Sequence, residues 1–71
     1  MTYYQPRFVR PEHVAELVNL YHLARTALAG SNEANSKYAR RVWAARAFHG
    51  EHPEVSATAA YKDLEGLLAW D

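Results

Sequence analysis

Lys37, Arg40, Trp43 and Arg46 recur every three residues within the stretch Asn35–His49 (NSKYARRVWAARAFH). Three-residue steps put side chains on successive turns of a helix, so this spacing gathers cations around one indole. Two chemistries suit such a set. Lysine and arginine neutralise phosphates, while an indole stacks on a base or wedges into a groove. The planar guanidinium also pairs with carboxylates, and tryptophan and arginine are enriched among protein–protein hot spots. Arg7 and Arg10 supply two further cations ahead of the first predicted helix.

At about 100° per residue, Ala34, Tyr38, Val42, Ala45 and Phe48 share one arc of roughly 120°, and Trp43 falls opposite it. The expectation is a helix with two usable faces: one for the core, and a basic–aromatic face (Lys37, Arg40, Trp43, Arg46) for a partner. The competing assignment buries Trp43 in the core and lets Arg40 and Arg46 run along its edges. Arg41, at the margin of the core arc, is expected to reach a carboxylate of the third helix.

A second group with chemical potential is His49-Gly50-Glu51-His52-Pro53-Glu54. Imidazole and carboxylate suit zinc or nickel. Pro53 stiffens the segment, however, the spacing matches no zinc pattern, and no third ligand is indicated. His13 and His22 belong to another helix. No metal and no cofactor are expected. Catalysis has less support again. The chain has no cysteine, no glycine-rich phosphate loop and no nucleophile elbow. Ser31, Ser36 and Ser56 read as helix caps or surface residues. The sequence therefore points to a binding protein and away from an enzyme.

Periodicity sets the elements that would carry these residues. Pro11 suits the first position of a helix, and Glu12 follows where the dipole favours negative charge. Val14, Leu17, Tyr21, Ala24 and Leu28 then fall at helical spacing up to Gly30, a candidate left-handed stop. Ser31 or Asn32 is expected to cap the second helix, which Gly50 would end. Pro53 and Glu54 would open the third, with Ser56 as the other candidate cap. Its main stripe is Ala57, Ala60, Tyr61, Leu64, Leu67 and Leu68. A second stripe holds Ala59, Asp63, Gly66 and Trp70. Gly66 costs about 1 kcal/mol relative to alanine inside a helix, so a close backbone approach or a frayed last turn is expected there.

The expected fold is all-α: an up-down-up three-helix bundle over residues 11–71, with helices at about 11–29, 33–49 and 54–70. An extended arm, residues 1–10, precedes it. Its aromatics Tyr3, Tyr4 and Phe8 would cap the open end of the core or meet a partner. With 71 residues and no cysteine, a lone domain buries little surface and has no disulfide to reinforce it. That raises the expectation of a homo-oligomer.

Net charge is zero but unevenly spread: residues 31–50 are basic, and residues 51–71 are acidic. A nucleic-acid-binding domain of this size is usually clearly basic. The reading the sequence favours is thus a small non-enzymatic interaction or regulatory protein that docks a protein partner and self-associates. The alternative is a nucleic-acid-binding module using the same face with Arg7 and Arg10. No apolar stretch suggests a signal peptide or a membrane span, so the cytoplasm is the expected location (the host cytoplasm for a viral source).

Overall fold

A computed structural model describes residues 4–69. Tyr3 and Trp70, assigned above to the arm and to the second stripe of the third helix, lie outside the described residues. Three helices pack together: α1 (Val14–Ala27), α2 (Lys37–Glu51) and α3 (Ala57–Leu68). There is no strand among the described residues. α2 packs on both neighbours, whereas α1 and α3 touch each other less. The molecule is flattened, 33 × 31 × 17 Å.

Local chemistry sets each boundary. Pro11–His13 forms one tight 3₁₀ turn, closed by His13 N–H donating to the Arg10 carbonyl at 2.9 Å, and α1 proper follows from Val14. Beyond α1, Gly30 takes φ +88°, a left-handed conformation that glycine adopts without a Cβ penalty. The second helix begins later than its polar run suggests. Ser31 Oγ accepts from Glu33 N–H at 3.0 Å and so caps a separate 3₁₀ turn, Asn32–Asn35. Ser36, extended and accepting from Ala39 N–H at 3.1 Å, is the true cap of α2. At the far end α2 runs through Gly50 and stops at His52. The residue before a proline is sterically driven out of the α region, and Pro53 therefore ends this helix where Gly50 was expected to. Residues 54–56 stay outside α3, because Ser56 caps it by accepting from Ala59 N–H at 3.1 Å.

The core consists of Leu17 and Tyr21 from α1, Ala44, Ala45 and Phe48 from α2, and Ala60 and Leu64 from α3, with Val9 inserted from the preceding segment. Phe48, Leu17 and Leu64 are fully buried; each contributes about 1.5–3 kcal/mol relative to exposure. The alanines, with Ala24, let helix axes approach closely. Such a core is small, and its stability depends on few large side chains.

Two sequence expectations change in phase. Tyr38, placed on the core arc, is 64% exposed, whereas Arg40 is only 7% exposed. The buried stripe of α2 is Arg40, Ala44, Ala45 and Phe48, rotated toward Trp43. The second change concerns the arm. Its backbone bends at residues 7–9 around the fully buried Asp63 carboxylate of α3. Oδ1 accepts from Tyr4 O–H (2.8 Å) and Arg7 N–H (2.9 Å); Oδ2 accepts from Phe8 N–H and Val9 N–H, each at 2.8 Å. Three consecutive amides cannot converge on one carboxylate from an extended chain, so the expected extended arm is replaced by a clasp.

Candidate functional site

The structure separates the six cations and aromatics singled out by spacing. Trp43 and Arg46 stay together. Trp43 is half-buried against the core yet lines an open groove of about 440 Å³ with Arg46, Leu28, Glu33 and Ala47. A second groove, of about 380 Å³, runs on the other side of α2 and is lined by Ala45, Ala57, Tyr61, Lys62 and Glu65. Tyr38, Val42 and Arg46 border both grooves. Spaced four residues apart, they form one ridge along α2, with an exposed tyrosine at one end and a guanidinium at the other.

Lys37 and Arg40 belong elsewhere. They line a cleft formed where the last turns of α1, the first turn of α2 and the end of α3 meet, together with Arg25 and Arg41. The Arg40 guanidinium lies over the Tyr21 ring, 5.3 Å from its centroid. Arg7 and Arg10 line none of these three concavities. Both are exposed, and Arg10 faces Glu12 at 3.7 Å. Among the described residues Arg41 reaches no carboxylate, contrary to expectation. Its Nε donates to the Tyr61 hydroxyl at 3.3 Å and its guanidinium lies 5.7 Å from that ring's centroid, because Tyr61 is the α3 side chain directly in its path.

The histidine-rich turn resolves into two separate contacts. His49 Nδ1 carries a proton, since it donates to the Val55 carbonyl at 2.7 Å. His52 turns inward instead. Its ring stacks on His13 with centroids 4.2 Å apart, and its Nε2 donates to the Glu16 carboxylate at 2.9–3.0 Å. His52 thereby links the interhelix turn to α1, with Phe48 against its other neighbourhood at 4.5 Å. No linear spacing signals a pairing between His13 and His52, 39 positions apart.

Asp63 experiences the strongest opposing electrostatics. Burial disfavours its charged form, but the amides of Arg7, Val9 and Phe8 and the Tyr4 hydroxyl outweigh burial and hold its carboxyl below the usual range. The same hydrogen bond to Asp63, reinforced by desolvation, raises the Tyr4 phenol. This group is structural: its oxygens are all engaged by the clasp.

No helix among the described residues is long and apolar enough to cross a membrane. The chain matches no family model, no curated protein and no solved structure. Geometry and side-chain chemistry therefore carry the functional reading.

Proposed function

We propose that this is a small non-enzymatic interaction protein that docks a protein partner through the outer face of α2 and associates with itself there. In this reading the helices run up, down and up, which leaves α2 central with its ridge outward. The observation that carries it is Tyr38, a large aromatic 64% exposed between two grooves floored by apolar side chains. A tyrosine so placed offers amphipathic contact area at low entropic cost. Trp43 and Arg46 in the adjoining groove complete the combination typical of hot spots.

Charge argues for a second copy of the chain as one occupant. Arg46 and Lys62 border the grooves beside Glu33 and Glu65, so the rim carries both signs. A two-fold interface brings the same patch against itself, and such a rim pairs its own cations with its own carboxylates. Nucleic-acid binding by the full basic set has less support. Arg40 is buried away from Trp43, and Arg10 lies beside a carboxylate.

Light scattering across protein concentration, for wild type and Tyr38→Glu, tests this reading. A wild-type mass that rises to a dimer and a variant that stays monomeric would support it. A monomer at every concentration would remove self-association. Steep loss of partner binding with salt would instead favour phosphate contacts.

A further inference from the structure

The cleft at the junction of α1, α2 and α3 holds about 470 Å³ and is lined by Arg25, Lys37, Arg40 and Arg41, with His22 and Leu68 at its margins. No carboxylate among the described residues lines it. The described carboxylates that pair do so elsewhere: Glu12 with Arg10, Glu16 and Glu54 with His52, and Asp63 with the clasp. Four cations thus converge without a counter-charge among the described residues.

Arg40 is the decisive member. It is more than nine-tenths buried, and its Nε is fully enclosed with no hydrogen-bond acceptor among the described residues. Packing over the Tyr21 ring at 5.3 Å supplies cation–π attraction, but a π face cannot accept the in-plane N–H groups that an oxyanion accepts. Buried charges are ordinarily paired. An arginine whose Nε lacks an acceptor, lining a concave cleft with no carboxylate among the described residues, marks a site suited to an anion. Lys37, the first residue of α2, lines the same cleft, so the positive end of that helix's dipole lies near it.

From this arrangement we infer that the cleft binds a phosphate monoester. A carboxylate brings one negative charge and two oxygens, which leaves most of the cations uncompensated. A monoester brings close to two charges and three strong acceptor oxygens, matched to several donors converging from different sides. A nucleic-acid backbone needs cations spread along a track; here they meet in one cleft, and Arg46 faces a different groove. The bearer of the phosphate is either a small metabolite or a modified protein side chain. This site is separate from the Tyr38 ridge and does not depend on it.

The test is titration of inorganic phosphate into the full chain at constant ionic strength, followed by ¹⁵N-edited NMR including the arginine Nε–H resonances. The expected result is a saturable shift confined to Arg25, Lys37–Arg41 and the Arg40 Nε–H, with chloride at equal ionic strength inert. Arg25→Gln and Lys37→Gln alter exposed residues, and each should weaken binding about threefold to fivefold. Arg40→Met should abolish it. A sugar phosphate and a phosphoserine peptide then separate the two sources by which binds more tightly than phosphate alone. A linear response matched by chloride would overturn the site, as would tighter binding of a single-stranded oligonucleotide than of any monoester. Saturable binding that appears only in Asp71→Asn would also overturn it, because the cleft would then serve an acidic residue of this chain. Arg46→Ala, on the ridge and outside the cleft lining, should leave phosphate binding unchanged, so failure of the ridge and failure of the cleft are told apart.

Discussion

The Tyr4 ring lies against Gly66 so closely that a methyl group built on that glycine would overlap its ring carbons. A residue from the start of the chain thus occupies the space over the last turns of α3. The same tyrosine donates its hydroxyl to Asp63, one turn earlier. Glycine at position 66 is the condition for that seat, and it explains a helix-interior glycine without invoking a frayed end.

This contact has a signed consequence. Gly66→Ala gains about 1 kcal/mol of helix propensity, yet it should destabilise the protein by about 1–3 kcal/mol through overpacking. In a Tyr4→Ala background the same substitution should become stabilising. Urea unfolding of the four proteins in this cycle checks the reversal. Additive effects would mean that the ring moves aside freely.

Acid should loosen the clasp. The clasp's amides and the Tyr4 hydroxyl hold the Asp63 carboxyl below the usual carboxylate range in the folded protein. Its contribution is therefore complete above the unfolded value and is lost as pH falls through the folded one. Asp63→Asn should cost about 2–4 kcal/mol at neutral pH, since it removes a buried charge from four donors. The gap between the melting curves of wild type and variant should narrow below about pH 4. A gap independent of pH would show that Asp63 acts through packing alone.

Ser36 and Ser56 each accept one amide proton at the start of a helix. Alanine at either position should cost about 1 kcal/mol, and glycine only a few tenths. Thermal melts suffice to see it. Ser31, which caps only the short turn Asn32–Asn35, should show a smaller effect.

Tyr38 and Trp43 should separate by stability. Tyr38→Ala removes an exposed side chain and should stay within about 0.5 kcal/mol of wild type, while weakening association by at least about 1 kcal/mol. Trp43→Ala should lower both, because its ring packs on the core and lines the groove. Equal stability loss in the two variants would contradict this division.

What residue order alone determined is the part encoded by local rules. Helical spacing in α1 marks the stripe that contains Leu17, Tyr21 and Ala24, all buried. Its large and small apolar residues alternate clearly with Asn19, His22 and Thr26. Serine before a periodic run marks a cap, although choosing among Ser31, Ser36 and Asn32 required the backbone, since each satisfies the same rule. The phase of α2 was not legible. Alanine at 39, 44, 45 and 47 gives nearly every face a small apolar residue, so Tyr38 and Val42 pulled the predicted core arc off its true position, although Ala45 and Phe48 lie on both.

Tertiary structure decided the rest. Asp63 and Arg40 are charged, and a charge defaults to solvent because burying it unpaired is costly. Only donors brought from 54 to 59 residues away make Asp63 a core residue. Likewise only the meeting of Arg25 with Lys37, Arg40 and Arg41 turns scattered cations into a cleft. Local spacing reports which side chains share a helix face. It carries no information on which faces meet, and both the clasp and the cleft exist only where they do.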